Sequence, residues 1–419
     1  MKSKISQKEI FKTLLFVLPY IAVEFTNTIL VIIDKSLSNS IGKTAIIVFS
    51  SFVTLNWAIN TIQACISQAH SIVLVRDREK HKVINTTGMF LELVTSSLIG
   101  ILIFMFAKQI TYVYTLEDDA RTILTTILKL KAIQLPINSI AYIPKNKLKI
   151  DYKTKQIFII MVIASTINII GDLISIKYGY NEIGIYIATI ISTIVNSILL
   201  LLVSKFKIGK ISVNYIKEIF KYAKDLIFNK IIQRIVNIWY TSIASSFGTN
   251  IYAIHCVCAT VIDTITEVIE GEYSGLLIAY SNDIESKKEN IINKVDKISC
   301  YGVVCSIVIS LVLMYPTWWL LGRAIPWNEC NPYIWLYSLE FLATVVSCNY
   351  RAYLSANKDT KAIRNMALVG GICVRIPLAL LVRHFNIGIL GLSFVCGIDR
   401  SVRATYLRLY IRKNKEKLA

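Results

Sequence analysis

The sequence predicts an all-α polytopic membrane protein of about twelve transmembrane helices, arranged as two six-helix lobes. Composition is the first of three observations behind this. Hydrophobic residues make up 54% of the 419 and charged residues only 17%, against about 25% charged in a soluble domain, and mean hydropathy is +0.56. The second is recurrence. Apolar runs at 14–34, 44–75, 83–107, 122–143, 156–176, 183–204, 226–247, 251–281, 299–321, 332–356, 362–382 and 387–410 each approach or exceed the ~20 residues that span a bilayer as helix. The third is charge placement. Lys and Arg gather in alternate connections: Arg76 to Lys82, Lys145 to Lys155, Lys205 to Lys210, Lys287 to Lys294, Lys358 to Arg364, and the tail from Arg412.

That alternation is the positive-inside pattern. It puts both termini in the cytoplasm, fixes an even number of crossings, and places the chain in the cytoplasmic membrane. The formal charge of +19 therefore does not point to nucleic acid, because the basic clusters lie at separate helix ends and not on one patch. The opening MKSKISQKEIFK runs into a long first helix without a small-residue cleavage site and reads as an uncleaved span. The nine cysteines and four histidines show no metal-ligand spacing, and neither a nucleophile constellation nor a Gly-rich phosphate loop stands out. The expectation is a protein that is not an enzyme and needs no cofactor.

A faint repeat organises the chain. IGIYIATIISTIVNS from Ile183 is echoed by IGILGLSFVCGIDRS from Ile387, and Asp151-Tyr-Lys153 by Asp359-Thr-Lys361. Six crossings per half is an even number, so the halves enter the membrane from the same side, and a pseudo-twofold along the membrane normal relates them. The expected lobes are 1–204 and 225–419. Between them, 205–224 is a cytoplasmic linker, either a short helix lying in the headgroup plane or an extension of helix seven.

Charges inside spans either mark function or pair with one another. Lys230, Arg234 and Asn237 form one stripe on helix seven, and Asp263, Glu267 and Glu270 another on helix eight, since about 3.6 residues per turn aligns these spacings. Residues at equal depth in an antiparallel hairpin have numbers of constant sum. The register thus pairs Lys230 with Glu270, Arg234 with Glu267 and Asn237 with Asp263, a structural charge ladder.

Asn168 and Asp172 are different. They share a face of helix five, with no cation on that helix opposite them. Asp34, ending the apolar part of helix one, falls at a similar depth in the outer half of the bilayer. Two carboxyls close together in low dielectric do not both stay charged, so a proton or cation becomes exchangeable there, with Asn168 supplying an oxygen or a hydrogen bond. The alternative is that Asn168 only satisfies Asp172 and Asp34 faces interfacial water.

These features, taken in order, resemble the MATE (multidrug and toxic-compound extrusion) family, within the larger group that includes oligosaccharide flippases. The carriers are Pro19 with IIDKSLSNSIGKTA (32–45), STINIIGDLISI followed by IGIYIATIIS, NKDTKAIRNM (357–366), VRIPLALL (374–381) and GIDRSVRATYLRLYIR (397–412). The resemblance implies two lobes around a cleft that opens alternately to each side, and export of a small organic or lipid-linked substrate against inward H⁺ or Na⁺. It implies a cation site at Asp34, Asn168 and Asp172, the one place where Na⁺ is considered. The second lobe departs from the pattern. Family acids of helices seven and ten give way to Gln233 and Arg234, and to Thr344 with Glu340 a turn away, so Gln233, Glu340 and Thr344 form an altered polar site. Arg351, Arg375 and Arg400 add charge that gives weight to a peptide, anionic or lipid-linked cargo. The expected function is a secondary active antiporter, with a flippase or dedicated exporter as the alternative and a non-transporting membrane partner as a third reading. The expected partners are the substrate and membrane lipids, without nucleic acid; the sequence is compatible with a monomer and does not set the oligomeric state.

Overall fold

The computed structural model describes residues 7–41, 43–112, 117–286, 290–321 and 325–415; the side chains of Asp34 and Glu270 lie outside the described residues. Within these, the chain forms twelve long helices and no strand: α1 (Gln7–Ile41), α2 (Lys43–Arg76), α3 (His81–Thr111), α4 (Asp118–Ile150), α5 (Thr154–Lys177), α6 (Asn181–Ser204), α7 (Val213–Ser245), α8 (Thr249–Glu285), α9 (Ile291–Leu321), α10 (Trp327–Ala356), α11 (Thr360–His384) and α12 (Ile389–Lys413). The eight residues Leu368–Arg375 in the middle of α11 are π-helical. All twelve match the expected spans, and the chain is a multi-pass membrane protein.

Stretches of α2, α3, α5, α6, α8, α9 and α11 are long and apolar enough to cross a membrane on their own composition. Helices α4, α7, α10 and α12 are less apolar and carry Lys131, Arg234, Glu340, and Asp399 with Arg400 and Arg403. Such helices are held in a bilayer by neighbours that cover the charge.

Helix α3 shows how one sequence serves two solvents. Phe90, Val94, Leu98, Ile101 and Met105 are exposed and form a lipid-facing stripe. On the opposite side Gly88, Glu92, Ser96 and Gly100 are buried, four residues apart. The glycines permit close approach: a Cβ on Gly100 would lie 2.6 Å from the Ala132 carbonyl of α4. Packing through small residues is the usual solution where lipid is as apolar as leucine.

Packing divides the chain into two units, residues 26–223 and residues 1–25 with 224–419. The core of the first joins Phe52 of α2, Ile103 of α3, Leu124, Leu128 and Leu135 of α4, and Tyr186 of α6. In the second, α10 packs on α8, α9 and α12. The first half of α1 belongs to the second unit. The reason is local. Gly271 and Gly275 of α8 lie one turn apart, and Cβ atoms there would meet the Tyr20 carbonyl at 2.5 Å and Val17 Cα at 3.2 Å.

The linker is no separate helix. Residues 205–212 are non-helical and dock on α3, with the Gly209 N–H donating to Thr86 Oγ1 at 2.7 Å and the Ser212 N–H to Thr87 Oγ1 at 3.1 Å. Residues from Val213 onward are the first turns of α7, so the extension of helix seven is what forms.

The repeat has a structural counterpart. After α4, Tyr152 adopts φ 60° and the Lys153 N–H donates to the Leu148 carbonyl at 2.8 Å. After α10, Lys358 adopts φ 59° and the Asp359 N–H donates to the Leu354 carbonyl at 2.9 Å. Both are left-handed C-terminal caps of the Schellman kind, 206 residues apart.

Candidate functional site

In the first unit, Gly171 of α5 faces Ala188 of α6 so closely that a Cβ on Gly171 would lie 2.6 Å from the Ala188 Cβ. This approach buries the polar face of α5 against α6. Ser192 Oγ donates to Asn168 Oδ1 at 3.3 Å, and Asn168 Nδ2 donates to Asp172 Oδ2 at 3.3 Å. The amide is thus oriented by its two partners, with its N–H toward the acid. Asp172 is fully buried and Asn168 nearly so. Asp34, the third expected member, lies with its side chain outside the described residues.

A second polar group lies beside this chain. Lys131 of α4 is buried and donates to Gln134 Oε1 at 3.1 Å; Tyr186 of α6 donates to the same oxygen at 2.8 Å, and Gln134 Nε2 donates to Thr193 Oγ1 at 2.9 Å. Thr193 follows Ser192, so the two polar groups meet on adjacent residues of α6. A third group joins α2, α3 and α4. His70 Nε2 bonds Asn85 Oδ1 at 3.2 Å, and Asn146 Nδ2 contacts Ser67 Oγ at 3.0 Å and His70 Nδ1 at 3.4 Å. With an amide N–H on one side and an amide oxygen on the other, the neutral Nε2–H tautomer fits both partners. Sequence reading passed over Lys131, although a lysine inside LKLKAIQLP was a visible signal; His70 had none.

The second unit has a charged interior. Glu340 of α10 pairs with Arg400 of α12 at 2.8 Å. Asp399 takes both Nε and Nη2 of Arg403, at 2.7 and 2.8 Å, in a bidentate pair. Arg375, carried inward by the π-helical segment, lies 3.7 Å from Asp399 and stacks 4.3 Å over the Tyr240 ring. Its Nη1 donates to Asn237 Oδ1 at 3.1 Å. Gly370 in the same segment leaves room for this pair: a Cβ there would lie 2.3 Å from Arg403 Cγ and 2.5 Å from Asp399 Oδ1.

Of the expected ladder, Arg234 of α7 has Asp263 and Glu267 of α8 as acidic neighbours. Asn237 turns to Arg375 and not to Asp263, because the π-helical segment presents a cation at that level. Glu270 has its side chain outside the described residues, and Lys230 is half-buried. Asp263 and Glu267 are exposed on α8. Each member of the altered polar site makes a hydrogen bond or ion pair. Gln233 donates to Asn229 Oδ1 at 2.9 Å, Thr344 donates to the Glu340 carbonyl of its own helix at 2.7 Å, and the Glu340 carboxylate is held by Arg400. Among the described residues, no group of three or more His, Cys, Asp or Glu is arranged to hold a metal ion.

Residues 48–299 match the profile of a family described as polysaccharide biosynthesis protein. The chain belongs to that family. No curated protein matches it in sequence. Solved structures with the same fold include a MOP superfamily transporter from Pyrococcus furiosus, described as having a binding pocket of reversed polarity that suggests a different function. It is 14% identical, with TM-score 0.87 over 97% of this chain and 96% of that one. An outward-facing multidrug resistance MATE family transporter of the MOP superfamily gives the same 14%, 0.87, 97% and 96%. A MATE in the straight conformation is 15% identical at TM-score 0.86, over 97% and 96%. The architecture is the MATE fold expected from the motifs, and these neighbours are transporters, not enzymes.

Proposed function

We propose that this polysaccharide biosynthesis family member is a secondary active antiporter of the cytoplasmic membrane, with both termini inside, exporting an organic product against inward H⁺, with Na⁺ as the alternative ion. The observation that carries the reading is the buried relay of Ser192, Asn168 and Asp172. A carboxyl in that position changes its bonding with its charge. As a carboxylate it accepts from the Asn168 amide and attracts a cation, whereas the neutral acid offers a proton and weakens the amide's hold. Coupling follows if the ion binds the outward-open state better than the inward-open one, since only differential affinity shifts a conformational equilibrium.

The energetics are adequate. One pH unit across the membrane is worth about 1.4 kcal/mol per proton, which concentrates a neutral cargo about tenfold. The test is gradient-driven transport in proteoliposomes. Asp172→Asn keeps the shape and the hydrogen bond from Asn168 while removing the titration, so it is expected to fold normally and to lose nearly all pH- or Na⁺-driven transport. Transport at the wild-type rate would reject the site.

A second reading concerns the cargo. The family description, together with an apolar groove of about 710 Å³ in the second unit lined by Leu339, Leu342, Val346, Phe394, Ile398 and Val402, supports a lipid-linked product. On α10 and α12 the groove residues flank Glu340 and Arg400, so a tail-binding face and a charged face share two helices. A photoactivatable isoprenoid phosphate is expected to crosslink to these groove residues and to be displaced by a lipid-linked saccharide. Crosslinking spread evenly over the lipid-facing surface would speak for ordinary annular lipid.

A further inference from the structure

One buried titratable group has no part in anything described so far. Glu92 of α3 is fully buried, and among the described residues neither of its carboxyl oxygens has a hydrogen-bond partner. It is the one long polar side chain in the stripe of Gly88, Glu92, Ser96 and Gly100. Thr95 Oγ1, at 3.2 Å, and Ser96 Oγ both donate to its backbone carbonyl, not to its carboxyl.

The groups around it supply no counter-charge. On α2, His70 lies against Gly88, one turn or about 6 Å away along the axis, and both its ring nitrogens are engaged by Asn85 and Asn146. On α4, Lys131 precedes Ala132, which meets Gly100; that level is two turns or about 12 Å from Glu92, and the lysine donates to Gln134. The 3-10 turn Arg78–Lys80 lies at the exposed end of the bundle, beyond the start of α3. Among the described residues, no hydrogen-bond donor reaches either carboxyl oxygen of Glu92. An isolated carboxylate would be strongly disfavoured in such a place, whereas a neutral acid is tolerable.

We infer that Glu92 is a second proton-carrying site of the first unit. The inference rests on the proton-coupled reading above. Depth gives it a place in the cycle. From the basic end of α3, Glu92 is about 16 Å along the axis, near mid-membrane, while Asp172 is about 27 Å from the basic end of α5. A proton entering from the far side meets the level of Asp172 first and that of Glu92 second. With both sites used in one cycle, a gradient of one pH unit drives about a hundredfold accumulation and not tenfold.

The test is labelling of the full-length protein in lipid vesicles with dicyclohexylcarbodiimide. This apolar reagent adds the O–H of a neutral carboxylic acid across its C=N bond, giving an O-acylisourea that rearranges to a stable N-acylurea. Peptide mass spectrometry is expected to find the adduct on Glu92, at least about fivefold more at about pH 6 than at about pH 9, and Glu92→Gln is expected to abolish it. A Glu92 peptide unmodified at every pH while the Asp172 peptide reacts would overturn the inference and leave the antiport reading standing. Labelling of Glu92 that does not change with pH would overturn it equally. If Glu92→Gln loses pH-driven transport while Asp172→Asn keeps it, the Asp172 assignment fails and Glu92 stands.

Discussion

Asp399→Ala is expected to be the most damaging single substitution in this protein, destabilising it by about 3–5 kcal/mol, the usual cost of removing one partner of a buried ion pair. Asp399 is fully buried and holds Arg403 through two short bonds, with Arg375 also within 3.7 Å. Its removal leaves the buried Arg403 guanidinium without its bidentate partner. Folded domains are commonly stable by only about 5–15 kcal/mol, so the variant should be detected first as a loss of monodisperse protein after detergent extraction. Asp399→Leu combined with Arg403→Met tests the cause, since it removes both charges while keeping volume. The double variant is expected to melt at a higher temperature than either single one. If the two single losses simply add, the pair is not the source of the effect.

Gly271→Leu is expected to have the next largest effect, and for a different reason. No rotamer relieves a Cβ placed 2.5 Å from the Tyr20 carbonyl and 2.8 Å from Ile21 Cα, because both obstacles are backbone. Helix α1 must move away from α8, at the upper end of, or beyond, the about 1–3 kcal/mol usual for overpacking. Residues 1–25 should then lose their place in the second unit, and limited proteolysis is expected to cut within α1 many times faster than in wild type. A Gly275→Ala variant, whose Cβ would meet its neighbours at 3.2 Å, should show a much milder change. Equal sensitivity of the two variants would argue against the backbone contact as the cause.

Much of this molecule is readable from its letters. Apolar runs bounded by lysines and arginines mark the helices, because a bilayer imposes length and polarity together. The Asn168 and Asp172 pair is legible from spacing alone, since residues four apart in a helix share a face. What spacing does not supply is rotation and neighbourhood. The constant-sum rule places Asn237 and Asp263 at one depth, yet the π-helical turn around Gly370 and Gly371 swings Arg375 toward Asn237 first. Glu92 reads in FLELVTSS as one tolerable charge in a long apolar span; that it has no counter-charge is a property of three packed helices. Lys131 is similar, for its partner Gln134 is visible in sequence but Tyr186 and Thr193 come from α6.

The two left-handed caps at Tyr152 and Lys358 carry a consequence for stability. Neither residue is glycine, so each site tolerates a backbone shape that costs a side-chain-bearing residue about 1–2 kcal/mol. The same uncomfortable hairpin recurs 206 residues later with a different side chain. A second pair of such caps, at Gly179 and Asn386, lies 207 residues apart, so two helix ends of one half are each matched by one in the other.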